Sequence, residues 1–183
     1  EKSQVRERAS LKDCLGEIVD DIQDAAESGG ALLGVSSGIR QLDEMTMGFR
    51  KADLIVLAAR PSQGKTTLAM NMVEAAVFGA SPVPVGVFSL EMSQKSLLMR
   101  MVCSRAKVSQ TDVSRGALNE GEMARIVKSM GVIRSAPMII DDQSALAVEH
   151  LHTRAQAMKR AHGIGMIMVD YLQLLRSLKV GPR

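Results

Sequence analysis

The chain has 183 residues, of which 46% are hydrophobic, and a formal net charge of +3. This size and composition favour one globular α/β domain with a buried core. The longest purely apolar run, residues 54–59, is far shorter than the ~20 residues that cross a bilayer. The charged residues 1–10 do not resemble a secretory signal. Two cysteines far apart in the sequence exclude a disulfide framework and a zinc site, and they are typical of the reducing cytoplasm.

Charge is distributed unevenly along the chain. Residues 11–27 are strongly acidic, so the part that follows them is more basic than the total suggests. A basic surface favours anionic ligands such as nucleotides or nucleic acids, with simple solvation as the alternative. With one Tyr, three Phe and no Trp, the chain cannot build a base-stacking platform. Contacts to nucleic acid would therefore run mainly through phosphates.

Residues 11–27 predict an amphipathic helix that Ser10 can cap and that Gly29-Gly30 ends. Apolar residues recur there at helical spacing, opposite an acidic face: Leu11, Leu15, Ile18, Ile22 and Ala25. Such a helix could pack on its own domain or dock on a neighbouring subunit, and the pattern alone leaves both open.

Strands and helices alternate from residue 53 onward. Apolar runs predict strands, the first covered on both faces, at 54–58, 85–90, 138–140 and 164–169. Helical spacing predicts helices between them at 65–78, 93–105, 119–134 and 144–162, and the third opens on a capping box of Asn119 and Glu122. This alternation predicts an α/β fold with a mostly parallel sheet and helices on both faces.

A phosphate-binding loop follows the first predicted strand. Residues 59–66 read ARPSQGKT and match the pattern G-x-x-x-x-G-K-[ST], apart from Ala59 at the first position. In such a loop backbone N–H groups surround a phosphate, Lys65 neutralises phosphate oxygens and the Thr66 hydroxyl can hold Mg²⁺. The alternative is an ordinary surface turn with a solvated lysine. We expect the nucleotide contacts to come from Arg60, Pro61, Ser62, Gln63, Gly64, Lys65, Thr66 and Thr67.

Acidic residues follow other predicted strands, at the edge of the sheet that the loop would share. Asp170 follows the strand 164–169 and is the expected carboxylate on the Mg²⁺ side, acting through water. Glu91 follows the strand 85–90 and could deprotonate a water that attacks the terminal phosphate; the alternative is an acid favoured at a helix start. Asp141 and Asp142 also end a strand, but they are weaker candidates because solvation or helix capping accounts for them.

Several segments resemble the ATPase domain of bacterial replicative helicases of the DnaB type. They are VLAARPSQGKTTLAMNMVE at 56–74, FSLEMS at 88–93, VDYLQLL at 169–175 and the segment 34–56, while residues 10–30 resemble that family's linker helix. The resemblance implies a RecA-like ATPase core at 31–183 and a linker region at 1–30 that docks on the adjacent subunit of a six-membered ring. It also implies ATP hydrolysis that drives movement on single-stranded DNA and unwinding of the duplex, with primase and a helicase loader as partners in the cytoplasm.

The resemblance also assigns roles to residues by position. It implies that Lys65 and Thr66 bind phosphate and Mg²⁺, that Lys65 and Glu91 are catalytic, Glu91 as the base, and that Asp170 is the metal-side carboxylate. The family's core continues beyond the strand of Asp170, so we expect the ATPase domain to be incomplete at its C-terminal end and this chain alone to bind nucleotide with little hydrolysis. A P-loop kinase and a RecA-like ATP-binding regulatory or loader module are the alternative functions.

Overall fold

The computed structural model of the chain describes residues 32–60 and 62–176, together with eight positions between residues 11 and 26. The strands are β1 (Val85–Ser89), β2 (Met138–Asp141) and β3 (Met166–Asp170). The helices are α1 (Arg40–Thr46), α2 (Lys65–Phe78), α3 (Gln94–Ala106), α4 (Gln110–Arg115), α5 (Glu120–Arg134) and α6 (Val148–His162), and a 3₁₀ turn spans Leu172–Leu174.

The three strands form a parallel sheet in the order β2-β1-β3. The central strand β1 is buried along its whole length. Its register places Phe88 beside Asp141 of β2 and Ser89 beside Asp170 of β3. The carboxyl ends of the three strands therefore lie along one edge of the sheet, where an open α/β sheet presents its ligand-binding residues.

Helices pack on both faces of this sheet. On one face, Val87 of β1 packs with Val73 of α2 and Leu97 of α3. On the other face, Phe88 packs with Ala155 of α6. Successive residues of a strand point to opposite faces, which is why two neighbours in β1 belong to different clusters. The predicted α/β class, with a parallel sheet between two layers of helices, is confirmed.

The helices predicted at 65–78, 93–105 and 119–134 are confirmed as α2, α3 and α5, and the predicted capping box opens α5. Ser93 starts α3 because its side chain accepts the N–H of Ser96. The helix predicted from residue 144 begins only at Val148. Ala145 precedes it with a φ of 57°, a left-handed conformation that a right-handed helix cannot include. The short helix α4 was not predicted.

The strand predicted at 54–58 is the main difference from the sequence analysis. These residues have no strand bonds in the described sheet, and Leu54, Ile55 and Val56 are 87%, 51% and 69% exposed, so the expected burial on both faces is wrong. Apolar β-branched residues favour a pleated, packed surface, but a strand also needs a neighbour that bonds to it. Within the described residues, no strand pairs with this segment or with the second edge of β3.

The predicted N-terminal helix is described only in part. Its eight described positions are helical and exposed, including Leu11, Leu15, Ile18 and Ile22 of the predicted apolar face. Packing of these four side chains on their own domain is therefore not observed. The other residues of that helix, with the proposed cap and end, lie outside the described residues. None of the helices that the structure describes is long and apolar enough to cross a membrane.

Candidate phosphate-binding site

The loop before α2 turns its backbone through two left-handed residues. Ser62 has a φ of 63° and Gly64, the residue that precedes α2, has a φ of 80°. A Cβ at Gly64 would meet no atom within 4 Å. The glycine is thus required by backbone conformation, which disfavours a side chain there, and not by crowding in the protein itself. The N–H of Gln63 donates to the carbonyl of Arg60 at 3.3 Å and helps to close the loop.

The first turn of α2 presents unpaired backbone donors beside this loop. The initial N–H groups of any α-helix lack intrahelical acceptors, and no side chain caps the start at Lys65. These groups and the helix dipole favour an anion. Arg60, Ser62, Gln63 and Thr67 are exposed around the opening. Pro61 lies outside the described residues.

Asp170 contacts two side chains at the start of α2, those of Lys65 and Thr66. Its Oδ1 atom lies 3.0 Å from Lys65 Nζ, and the Thr66 hydroxyl donates to its Oδ2 atom at 2.5 Å. Asp170 is 4% exposed at the end of β3, so its carboxylate would be costly to bury without these partners. The structure thus brings Asp170 to Lys65 and Thr66, which lie about 100 residues earlier in the sequence; the roles of these residues remain predictions.

Glu91 lies at the same edge of the sheet in a different environment. It follows β1 and is exposed, and its carboxylate makes no hydrogen bond or ion pair with any residue that the structure describes. The neighbouring backbone is tied to the site, because the N–H of Leu90 donates to the carbonyl of Asp170 at 2.8 Å. The main chain next to Glu91 is therefore fixed to the strand that carries Asp170, whereas the Glu91 side chain has no partner among the described residues.

The two weaker candidates have structural partners. Asp141 accepts from Arg154 at 2.6 Å and from the N–H of Gln143 at 3.1 Å. Asp142 accepts the N–H of Gln94 at 2.8 Å, so it caps α3 and not the helix that follows it in sequence. These contacts account for both carboxylates without a ligand.

Tyr171 was missed by the sequence analysis. The Lys65 ammonium lies 4.2 Å from the centre of its ring, an arrangement that attracts a cation to the aromatic face. Its position directly after Asp170 was only a weak signal, because neighbouring residues along a strand usually point to opposite faces. The Arg154 contact has no comparable signal, because nothing local links residue 154 to residue 141.

The residues present fit a magnesium-bound phosphate chain. A carboxylate and a hydroxyl are oxygen ligands of the type that Mg²⁺ prefers, and an ammonium beside free helix N–H groups suits phosphate oxygens. Among the described residues, no group of three or more His, Cys, Asp or Glu could hold a metal by itself. This agrees with Mg²⁺ chemistry, in which one or two protein ligands share the ion with phosphates and water.

Residues 34–183 match the model of the DnaB-like helicase C terminal domain family. The chain belongs to this family. It is 35% identical over 167 residues to the replicative DNA helicase DnaB of Geobacillus stearothermophilus, covering 91% of this chain and 37% of that protein. It is 44% identical over 160 residues to the DnaB of Haemophilus influenzae, covering 86% and 34%. The chain therefore spans little more than a third of the curated relatives that it matches.

Solved structures share the fold. One of them, described as an ATPase domain, superimposes with a TM-score of 0.87 at 26% identity, over 97% of this chain and 62% of that one. A DnaB-like replicative helicase, described with its interactions with primase, gives a TM-score of 0.81 at 26% identity, over 97% and 42%. The predicted RecA-like ATPase fold and the resemblance to DnaB-type helicases are both confirmed.

Proposed function

We propose that this chain is the ATP-binding and ATP-hydrolysing motor core of a replicative DNA helicase. The observation that carries the proposal is the buried Asp170, which holds Lys65 and Thr66 at the start of α2, beside a left-handed Gly64. This arrangement supplies an ammonium, a hydroxyl, a carboxylate and free helix N–H groups at one place. A nucleoside triphosphate with Mg²⁺ carries charges that match that set. The similarity to a solved ATPase domain supports ATP as this nucleotide.

The binding step uses the groups that Asp170 now engages. Lys65 exchanges its contact with Asp170 for the oxygens of the β- and γ-phosphates, and the loop N–H groups bind the same chain. Thr66 and Asp170 are the residues that would hold Mg²⁺, Asp170 through water. When bound, Mg²⁺ neutralises phosphate charge and favours attack on the γ-phosphorus.

The hydrolysis step uses Glu91. Its carboxylate accepts a proton from a water molecule as the water oxygen bonds to the γ-phosphorus, while the bond from that phosphorus to the β–γ bridging oxygen breaks. The products are ADP and inorganic phosphate. Glu91 is exposed and has no side-chain partner among the described residues. This suits it to the step, because a carboxylate that is already paired must first be released.

The assembly and partners are part of the same proposal. The proposed assembly is the one that the resemblance implies, a ring of six subunits that moves on single-stranded DNA in the cytoplasm. The match to replicative DNA helicases supports an action on DNA. The interactions of one DnaB-like helicase with primase support primase as a partner, and a loader completes the proposed set. We also propose that residues 1–30 are a linker and that residues 31–183 are the ATPase domain. The exposed apolar residues between 11 and 22 support docking of this linker on an adjacent subunit.

The decisive experiment is Glu91→Gln in the full-length protein, with ATP binding and ATP turnover measured separately. We expect binding to be retained and turnover to fall by about 100-fold or more, because the variant keeps the shape of the side chain and loses the base. Glu149→Gln is the matched control, since Glu149 is another exposed carboxylate and its side chain contacts none of Lys65, Thr66 and Asp170 in the described part of the chain.

The same experiment separates the alternatives. A regulatory or loader module would function unchanged with glutamine at position 91, which would overturn the proposal. A kinase would transfer the phosphate to an acceptor, so a phosphorylated product in place of inorganic phosphate would also contradict hydrolysis. For this chain alone, we expect nucleotide binding with little turnover.

A further inference from the structure

A three-residue bend, Leu90–Met92, carries Glu91 between β1 and α3. The side chain of Ser89, the last residue of β1, closes this bend. Its hydroxyl donates to the carbonyl of Met92 at 2.6 Å and accepts the N–H of Met92 at 3.3 Å. Both hydrogen bonds that the structure describes across the bend therefore use one hydroxyl.

Ser89 places a polar hydroxyl group in a buried, apolar environment. It is 2% exposed at the end of a strand whose other residues are Val, Gly, Val and Phe. A buried hydroxyl without a partner costs free energy, whereas a methyl group at the same place costs none. The two bonds to Met92 satisfy this hydroxyl, so the side chain stabilises one particular path of the bend.

The residues on either side of Glu91 are anchored independently. Leu90 is buried with Phe88 and Leu146, and Met92 packs against the cluster of β1, α2 and α3. Glu91 itself is exposed and has no side-chain partner within the described part of the chain. The position of its carboxylate is therefore set by the main chain of the bend, and Ser89 is the side chain that holds this main chain.

We propose that Ser89 is a positioning residue for Glu91. This inference rests on the proposed function, because it concerns how the base of that reaction is placed. A general base must lie within hydrogen-bond reach of the proton that it takes, and a displacement of about 1 Å can cost about 100-fold in rate. Nucleotide binding depends on Lys65, Thr66 and Asp170, which Ser89 does not contact through its side chain.

Ser89→Ala in the full-length protein tests the proposal. Steady-state hydrolysis should show kcat for ATP lowered by about 10- to 100-fold, with KM and the Kd for a non-hydrolysable ATP analogue within about twofold, because binding and catalysis use different residues. Ser129→Ala is the matched control, since Ser129 is another buried serine, 7% exposed on α5. It should leave both constants unchanged.

A double-mutant cycle with Glu91→Gln distinguishes positioning from general support of the fold. If Ser89 acts through the Glu91 carboxylate, Ser89→Ala should cost nothing further once that carboxylate is gone. A residue that supports only the fold would lower the rate by the same factor in both backgrounds. The proposal would be overturned if Ser89→Ala lowered the rate by the same factor in both backgrounds. It would also be overturned if a rise in KM accounted for the whole loss of kcat/KM.

The outcomes also separate this inference from the function on which it rests. If Glu91→Gln leaves hydrolysis intact, the proposed function fails first. If Glu91→Gln stops hydrolysis while Ser89→Ala keeps the full kcat, only the role of Ser89 is wrong. Should the alanine variant not fold, Ser89→Cys replaces it, because a thiol has similar size and is a weak hydrogen-bond donor. A lowered kcat in a folded cysteine variant supports the proposal, and a normal kcat overturns it.

Discussion

Asp170 ends β3 and Glu91 follows the neighbouring strand β1, so both acids lie at one edge of the sheet, but their surroundings are opposite. Asp170 is buried, and its two oxygens bind Lys65 and Thr66. Glu91 is exposed, and no described residue pairs with its side chain. The Lys65 ammonium and the Thr66 hydroxyl hold the Asp170 carboxylate in place, as a metal-side ligand requires. A carboxylate without a described partner is available to approach a water molecule, as a general base must.

Asp170 and Glu91 show that two acids at similar positions in the fold can be suited to different functions. Both acids lie near the carboxyl end of a strand, and this common feature made them recognisable in the sequence. The two proposed roles differ because the two side chains differ in their contacts and in their exposure to solvent. The partners of Asp170, Lys65 and Thr66, both belong to α2, and Thr66 lies 104 residues earlier in the sequence. A contact over such a distance is visible only in the folded chain.

Asp170→Asn gives the largest expected effect of the changes that test this comparison. The variant keeps the side-chain shape and loses the charge that faces Mg²⁺ and Lys65. We expect a 10- to 100-fold higher Mg²⁺ requirement for hydrolysis, roughly the cost of losing an outer ligand of a metal site. Titration of the ATPase rate with Mg²⁺ measures it. In Glu91→Gln, by contrast, the residual rate should keep the wild-type Mg²⁺ midpoint.

The matched control for this change is Asp142→Asn. Asp142 is an exposed acid that follows β2 at the same sheet edge, and asparagine can still accept the N–H of Gln94. It should leave the Mg²⁺ requirement unchanged. An unchanged requirement in Asp170→Asn would mean that the two acids do not differ as proposed.

Much of the fold was predictable from local patterns. Helical spacing predicted α2, α3 and α5. Local caps also marked the starts of α3 and α5, because Ser93 and the pair Asn119 and Glu122 satisfy backbone donors within a few residues. The phosphate-binding loop was recognisable for a similar reason, since its residues are contiguous. The segment 54–58 was predicted wrongly, because its pattern does not say whether another strand bonds to it.

Burial alone does not mark a functional carboxylate, and Asp43 of α1 shows this. It is 7% exposed, accepts from the Ser36 hydroxyl at 2.6 Å and from the N–H of Ser37 at 2.8 Å. Burial acts to raise the pKa of Asp43, but the hydrogen bonds from Ser36 and Ser37 outweigh it and hold the pKa below its ordinary value. All of these partners belong to the adjoining segment, so the carboxylate serves the local fold.

Asp43→Asn should therefore lower stability without the site being involved. We expect a loss of about 1–3 kcal/mol in the free energy of unfolding at neutral pH, from bonds to a buried charge. Because the folded pKa lies below the unfolded one, this stability is present above pH 3.8 and is lost as the pH falls through the folded pKa. Denaturant unfolding from neutral to acid pH should show the gap between the two proteins closing.

The exposed Asp53 provides the control for Asp43→Asn. Its carboxylate accepts the N–H of Arg50 at 2.8 Å in a similar local bond, but it is not buried. Asp53→Asn should cost much less at every pH. Equal losses in the two variants would show that burial adds nothing to the local hydrogen bond.

Glu74 of α2 gives the smallest expected effect and has the opposite sign. Burial raises its pKa, while the hydrogen bond and charge of Arg105, 3.2 Å away, act against the rise. The folded pKa therefore lies above the unfolded one, and stability is lost as the pH rises from about 4.5 through the folded value. Glutamine at this position cannot ionise, so a Glu74→Gln variant does not lose stability in this pH range.

Glu74→Gln should thus gain stability relative to the wild type as the pH rises through that window, by less than about 1 kcal/mol because the ion pair is partly exposed. Denaturant unfolding at a series of pH values measures it. Glu44→Gln is the control, since Glu44 forms an exposed pair with Arg40 and should show no such trend. If the wild type gained instead, the attraction of Arg105 would exceed the cost of burying the Glu74 carboxylate.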